Sequence, residues 1–189
     1  MTTHPLLGPE TIPSARALVS EVGEVFRVFD RQDSGCVSYG VRVGAQRWFV
    51  KTATTAAAAG SLERAIAVHA AVHHRAVLAP VHVLREGPDA RPVLIYPWLD
   101  GEVLYHATVG ADGAATSRSR SEAGHPIARF RALPVDAVRK AVDVVLDAHR
   151  AVDDAGLVAV DLYDGCFLYD FATHRMSLID LDEYRPGPF

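Results

Sequence analysis

Residues 36–51 read CVSYGVRVGAQRWFVK. Apolar residues alternate with small or polar ones over residues 37–43, which is the period of a β-strand that buries one face. Gly44 then begins a turn into a second β-rich segment that ends at Lys51. Because a β-branched and aromatic segment also precedes them at residues 25–29, the sequence predicts three consecutive strands joined by short turns. Such strands run antiparallel, since parallel neighbours need long crossover connections.

The segments outside this meander combine strands and helices. Apolar residues at helical spacing run from residue 138 to residue 152, after Pro134 and before a stop at Gly156. Ser61 follows an alanine-rich stretch and would cap the N-terminus of another helix. The predicted elements are helices at residues 15–22, 61–74 and 134–156, and strands at residues 77–84, 93–98, 157–160 and 176–181, of which the last two would form a hairpin-like pair.

The order of these elements predicts an α+β fold. Helices do not alternate strictly with strands, which argues against a doubly wound parallel sheet. We expect a five-stranded antiparallel N-terminal lobe with one helix, followed by a helical C-terminal lobe. The predicted division is an N-terminal extension at residues 1–23, the first lobe at 24–99 and the second at 100–189, with a flexible insertion at 105–128 rich in Gly, Ala, Ser, Thr and Arg.

Composition excludes several classes of protein. The 189 residues include 19 Lys and Arg and 23 Asp and Glu, which gives a formal charge of −4. Nucleic-acid-binding proteins are typically basic, so this charge argues against that class. Two cysteines cannot form a disulfide framework and indicate a reducing compartment. The chain has no apolar run of membrane-spanning length and no basic signal-peptide start. We therefore expect a cytoplasmic protein with neither nucleic acid nor membrane as a partner.

Carboxylates gather after two short apolar strands near the end of the chain. Asp161 and Asp164 follow the strand at residues 157–160, and Asp180 and Asp182 lie on the later one. Such carboxylates are costly to bury unless they bind a metal, a proton or a hydrogen-bond donor. Oxygen ligands of this kind suit Mg²⁺, which shares them with substrate phosphates. Two interpretations stay open here: a metal site, or solvated aspartates in turns.

Lys51 is a second candidate functional residue. It ends an apolar strand that includes Trp48 and Phe49. Its stem could simply cover the edge of the strand while the ammonium stays in water. Alternatively, it contacts a phosphate and is held by a carboxylate on the following helix. Glu63 is the only acidic residue between Lys51 and Glu86, so it is the candidate partner.

The order and spacing of these segments resemble the protein-kinase fold. More narrowly, they are similar to an actinobacterial group described as serine/threonine protein kinase-like, over roughly residues 24–182. The segments that carry the resemblance are Gly35-Cys36-Val37-Ser38-Tyr39-Gly40, Phe49-Val50-Lys51, the helix at residues 61–74, the hinge-like Leu94-Ile95-Tyr96-Pro97-Trp98-Leu99-Asp100-Gly101, Val160-Asp161-Leu162-Tyr163-Asp164-Gly165, Phe167-Leu168-Tyr169 and Ile179-Asp180-Leu181-Asp182.

The resemblance implies a phosphotransferase that depends on ATP and Mg²⁺. Lys51, held by Glu63, would contact the phosphates of ATP. Asp161 would accept the proton of the attacking hydroxyl, and Asp180 would hold Mg²⁺. The further implied contacts are a phosphate loop with Gly35 and Gly40, adenine contacts from the backbone between Tyr96 and Trp98, and Asp164 or Asp182 as an additional Mg²⁺ ligand.

Departures from the family pattern keep two other functions open. Cys166 stands where the family has a metal-binding asparagine, and Phe49 stands where it has a small residue against the adenine. Both departures favour a pseudokinase that acts as a nucleotide-binding regulatory module. The motif Asp180-Leu181-Asp182 favours a kinase whose substrate is a small-molecule hydroxyl instead of a protein.

The resemblance also predicts a truncated, C-terminally short version of the fold. The activation segment and substrate-binding helices of the family would follow Asp182, whereas the sequence stops at Phe189. Leu178, Ile179 and Leu181 are then expected to be exposed, or to be covered by a partner or a missing segment.

Overall fold

The computed structural model describes residues 4–31, 34–105, 108–109, 115–116 and 122–187. Within them the chain forms four α-helices and thirteen strands, an α+β architecture. The helices are α1 (Ala15–Val22), α2 (Ala56–Ala71), α3 (Pro126–Arg131) and α4 (Val135–Asp154). The strands are β1 (Thr11–Ile12), β2 (Glu24–Phe29), β3 (Cys36–Val43), β4 (Gln46–Ala53), β5 (His82–Glu86), β6 (Arg91–Pro97), β7 (Glu102–Val103), β8 (Thr108–Val109), β9 (Ala115–Thr116), β10 (Leu157–Ala159), β11 (Phe167–Asp170), β12 (Arg175–Leu178) and β13 (Tyr184–Pro186).

The largest sheet has six strands in the order β1-β5-β6-β4-β3-β2. Strands β2, β3 and β4 are antiparallel neighbours, which confirms the predicted meander. The prediction of five antiparallel strands is wrong, because β1 adds a sixth strand that pairs in parallel with β5. A strand of two residues is too short to show a period in the sequence. The sheet is therefore mixed.

The chain divides into two compact units. The first unit comprises Met1–Glu63 and Ala79–Leu99, and the second comprises Arg64–Leu78 and Asp100–Phe189. The boundary at residue 63 falls inside α2, so the two halves of this helix belong to different units.

The core of the first unit forms where α1 and the residues before it pack on the large sheet. The Ser14 hydroxyl accepts the Ala17 N–H at 3.3 Å and so caps α1. Leu6 and Val19 are fully buried against the apolar face of the sheet. The other buried members of this core are Ile12, Ala15, Tyr39, Val41, Trp48, Val50, Leu84, Val93 and Ile95. Residues before position 24 thus supply part of this core.

Helix α2 begins at Ala56, five residues before the predicted cap at Ser61. The Thr55 hydroxyl accepts the Ala58 N–H at 3.2 Å, and the Thr55 carbonyl accepts the Ala59 N–H at 3.0 Å. Thr55 therefore acts as the cap, and the alanines after it are good helix formers. Gly60 is tolerated inside the helix.

The second unit combines α4 with small two- and three-stranded sheets. The predicted helix at residues 134–156 is confirmed by α4. The predicted pairing of residues 157–160 with residues 176–181 is wrong, because β10 pairs with β13, and β12 pairs with β11. The partner of β12 is β11, which lies closer to it along the chain, and the partner of β10 is β13, which follows the predicted strand at residues 176–181. The period of a strand does not by itself specify its partner.

Leu178 and Leu181 are buried, with 1% and 0% of their surface exposed. They belong to a core that includes Val72, Ala148 and Val152. The expectation that both leucines lack cover is therefore wrong, since the second unit covers them with its own residues. Ile179 is half-buried.

The predicted flexible insertion at residues 105–128 lies partly outside the described residues, which omit 106–107, 110–114 and 117–121. Within the remainder, β8 pairs with β9, and α3 begins after His125, whose Nδ1 accepts the Ile127 N–H at 3.3 Å. No helix in the described part of the chain is long and apolar enough to cross a membrane.

Candidate functional site

Asp161 lies in the loop that directly follows β10 in the second unit. The Val160 N–H donates to the Glu183 carbonyl at 3.1 Å, which extends the pairing of β10 with β13 to the start of the loop. The Asp161 side chain is exposed. A fixed strand end therefore presents this carboxylate to solvent.

Asp180 lies two residues after the end of β12 and has a φ of +63°. This left-handed conformation costs a residue with a Cβ about 1 kcal/mol, and Asp tolerates it better than most. The Asp180 side chain is also exposed. Strained backbone of this kind is concentrated at functional sites. The positive φ therefore strengthens the case, first made from the sequence, that Asp180 is a functional residue.

Two hydrogen bonds connect the loop of Asp161 with the segment of Asp180. The Ile179 N–H donates to the Cys166 carbonyl at 2.9 Å, and the Cys166 thiol donates to the Asp161 carbonyl at 3.4 Å. The pairing of Phe167 with Leu178 fixes the register next to these bonds. We call residues 161–166 and 179–182 together the linked acidic loops.

The thiol of Cys166 is buried at the centre of the linked acidic loops. Burial raises the pKa of Cys166 to about 11, and the negative charges of Asp180, Asp161 and Asp182 add to the rise because they oppose a thiolate. The thiol is therefore neutral near pH 7. A neutral thiol is a hydrogen-bond donor and a poor ligand for Mg²⁺.

The predicted Mg²⁺ ligands fit the ion in donor type. Asp180 and Asp182 supply carboxylate oxygens two residues apart, and Asp164 begins the 3-10 turn Asp164–Cys166. Asp182 is buried, with 9% of its surface exposed. In the described ranges, however, no three His, Cys, Asp or Glu side chains are grouped closely enough to hold a metal ion.

Lys51 lies on β4 in the first unit, with only 9% of its surface exposed. Its cross-strand neighbours are Ser38 on β3 and Leu94 on β6. Because side chains alternate along a strand, Lys51 shares its face of the sheet with Phe49 and not with the core residue Val50. We call this side the lysine face.

Glu63, the predicted partner of Lys51, forms an ion pair with Arg85 in this structure. Arg85 Nη1 contacts Glu63 Oε1, and Arg85 Nη2 lies 3.4 Å from Glu63 Oε2. Both side chains are substantially exposed, so the pair contributes little to stability. A contact between Glu63 and Lys51 stays a prediction.

The two predicted phosphate-loop glycines occupy different environments. Gly35 has a φ of +67° in the turn before β3, and its carbonyl accepts both the N–H and the hydroxyl of Thr54 at 2.8 Å. Gly40 lies inside β3, opposite Phe49 in the register. Gly40 is thus part of a strand, and only Gly35 belongs to the turn.

An aromatic cluster that no pattern in the sequence predicts lies on the lysine face. Phe26 meets Trp98 edge to face at 4.8 Å between ring centroids. Phe49 lies 5.8 Å from Phe29, 6.1 Å from Tyr96 and 6.4 Å from Trp98 by the same measure. These five residues are called the aromatic cluster below. The register shift between Val25 and Arg27 in β2 places aromatic residues there that simple alternation does not predict.

Two backbone positions in the hinge-like segment have no N–H free to donate. Pro97 has no N–H, and the Trp98 N–H donates to the Arg47 carbonyl at 3.0 Å. The implied adenine contact through the Trp98 N–H would therefore require this bond to open.

No model of a known protein family matches this chain, and a search of the curated proteins finds no match either.

Proposed function

We propose that this chain is a phosphotransferase that uses ATP and Mg²⁺ and has a protein-kinase-like fold of two lobes. The observation that carries the proposal is the linked acidic loops. They join an exposed carboxylate at the end of β10 to a second one held at positive φ after β12. Proton transfer from a hydroxyl uses a positioned carboxylate, and the Mg²⁺ that neutralises phosphate charge is bound through carboxylate oxygens.

Each candidate residue has a separate chemical task. Asp161 would take the proton of the acceptor hydroxyl while the hydroxyl oxygen attacks the γ-phosphorus of ATP. The bond between the γ-phosphorus and the bridging oxygen would break, which releases ADP. Asp180 and Asp182 would hold Mg²⁺, which neutralises phosphate charge when bound. Lys51 would attract the phosphates as a point charge.

The test is phosphate transfer from radiolabelled ATP in the presence of Mg²⁺. A generic protein serves as acceptor in one arm, and a panel of sugars and amino alcohols serves in another. We expect transfer in at least one arm, and Asp161→Asn should lower its rate by about 10²- to 10⁴-fold, because it removes the proton acceptor. Asp180→Asn should abolish transfer.

The matched control is Asp153→Asn, which removes an exposed carboxylate from α4 in the same unit. This variant should keep the rate of the original chain. The proposal is wrong if the chain neither transfers phosphate nor gains thermal stability from Mg²⁺ and ATP.

A second candidate function is a pseudokinase that binds a nucleotide without turnover. The neutral Cys166 thiol favours it, because a neutral thiol is a poor ligand for the Mg²⁺ that turnover needs. Thermal stabilisation by ATP without phosphate transfer would support this function. Turnover that depends on both Asp161 and Asp180 would exclude it.

A further inference from the structure

We infer that the site proposed above recognises its phosphate donor through the phosphate chain alone. This inference rests on the proposed function and concerns the side chains that surround Lys51. Three features of the first unit carry it: contacts within the aromatic cluster, the packing over Gly40 and the occupied backbone of the hinge-like segment.

The rings of the aromatic cluster lie in direct contact with one another. Phe29 and Trp98 are nearly parallel, with an interplanar angle of 29° and 6.5 Å between centroids. A base stacked between two rings would make one contact with each of them, and since the centroids of paired rings lie about 4.5 to 7 Å apart, the outer two rings would have to be separated by about 9 Å or more. Phe49 lies against both rings, at 5.8 and 6.4 Å. The described rings thus leave no gap of the width that a base requires.

Gly40 provides the space that the cluster fills. A Cβ at this position would lie 2.8 Å from the Phe26 ring and 2.9 Å from Trp98. The absent side chain therefore admits two rings of the cluster onto the sheet, opposite Phe49. On the lysine face, this glycine makes room for ring packing.

Two positions of the hinge-like backbone have no N–H available to a base edge. Pro97 lacks an N–H, and the Trp98 N–H already donates to the Arg47 carbonyl at 3.0 Å. A base would have to break this bond and displace Phe49 or Trp98 as well. Its binding would therefore add little to the affinity that Lys51 gives to the phosphates.

The substrate class follows from this arrangement. Nucleoside triphosphates with different bases should bind with equal affinity, and inorganic tripolyphosphate should bind about as well as they do. Phe49 and Trp98 are thus the residues that determine donor specificity, since they exclude the base from the lysine face.

Isothermal titration calorimetry on the full chain with Mg²⁺ tests the inference. The ligands are ATP, GTP and tripolyphosphate. We expect their dissociation constants to agree within about threefold. Lys51→Met should weaken all three alike. An affinity for ATP at least tenfold above that for tripolyphosphate would overturn the inference while leaving the proposed function intact.

Two variants test the role of the rings. Phe49→Ala and Trp98→Ala each remove a ring from the lysine face, so ATP should bind at least tenfold more tightly than to the original chain while the affinity for tripolyphosphate stays within twofold. Phe171→Ala is the matched control, because Phe171 is a half-buried ring in the second unit that packs against Arg129. It should change neither affinity.

The outcomes separate the inference from the function it depends on. If folded Phe49→Ala and Trp98→Ala chains gain no affinity for ATP, base exclusion by these rings is wrong. If neither variant folds, the comparison of the three ligands on the original chain decides alone. If no ligand binds to the original chain or to the variants, the proposed function fails, and the inference fails with it.

Discussion

Cys166 lies between the two segments of the candidate site and is hydrogen-bonded to both. Its thiol donates to the Asp161 carbonyl, and its carbonyl accepts from Ile179, so the residue ties both candidate carboxylate segments together. Burial among three aspartates keeps the thiol protonated. Serine would be the closest replacement in shape, whereas an ionised side chain would repel the surrounding carboxylates.

The raised pKa of Cys166 makes stability depend on pH. Between an ordinary value of 9.0 and the folded value of about 11, the unfolded chain loses the thiol proton while the folded chain keeps it. The unfolded state then binds fewer protons, so the free energy of unfolding must fall as the pH rises through this window. The stability that the protonated Cys166 thiol contributes is fully present below pH 9.

Urea unfolding between pH 8 and pH 11 measures this effect. The free energy of unfolding should fall more steeply with pH in the original chain than in Cys166→Ala, by at most about 1.4 kcal/mol per pH unit for one proton. The pKa of Tyr184 is also raised, chiefly by burial, which acts in both chains, and to a smaller extent by the charge of Cys166, which Cys166→Ala removes. If the free energy of unfolding falls equally steeply with pH in both chains above pH 9, the pKa of Cys166 is not raised in the folded chain. Below pH 8 the two slopes should agree.

At the scale of elements, Glu86 fastens α1 to the large sheet. Its Oε1 accepts the Ala15 N–H at 2.8 Å, and its Oε2 accepts the Thr52 hydroxyl at 2.6 Å. Ala15 is the first residue of α1, where backbone N–H groups have no partner within the helix and a negative charge is favourable. One carboxylate on β5 therefore holds the start of a helix and a residue of β4.

Glu86→Ala should lower the free energy of unfolding by about 2 kcal/mol, because two partly buried donors lose a charged acceptor. Hydrogen exchange of the amides in α1 should become faster at the same time. The matched control is Glu24→Ala, which breaks the exposed ion pair with Arg42 and should cost less than about 1 kcal/mol. Equal costs for the two variants would show that Glu86 does not clamp α1.

Local patterns in the sequence predicted elements better than their partners. The meander follows from alternation in residues 36–51, and α4 follows from its apolar period and its Gly156 stop. The partner of β10 could not be predicted in this way, because β13 is a three-residue strand with two exposed positions. The start of α2 was misplaced because Thr55 and Ser61 are both acceptable caps, and only the structure distinguishes them.

The candidate site was predictable to a similar extent. Residue type and position singled out Asp161, Asp180 and Lys51, whereas the sequence gives no sign that Asp180 has a positive φ or that Arg85 pairs with Glu63. The aromatic cluster depends on a bulge in β2 and on three separate strands, so no local pattern contains it. Its traces in the sequence are Phe49 and the aromatic residues of 26–29 and 96–98.

At the scale of the whole molecule, each unit has its own apolar core. In the first unit, the core joins residues from the start of the chain to the middle of the sheet. In the second, α4 and the end of α2 cover the strands that lead to the linked acidic loops. The predicted N-terminal extension at residues 1–23 is thus a contributor to the core of the first unit, through Leu6, Ile12, Ala15 and Val19.

This role of the first residues predicts a measurable loss of stability. Leu6 is fully buried, so Leu6→Ala should leave a cavity and lower the free energy of unfolding by about 2 to 5 kcal/mol. Val81→Ala is the matched control, because Val81 is an apolar residue of the same unit with 56% of its surface exposed, and its truncation should cost less than about 0.5 kcal/mol. Urea unfolding measures both. A cost for Leu6→Ala as small as that of the control would mean that Leu6 does not belong to the core of the first unit.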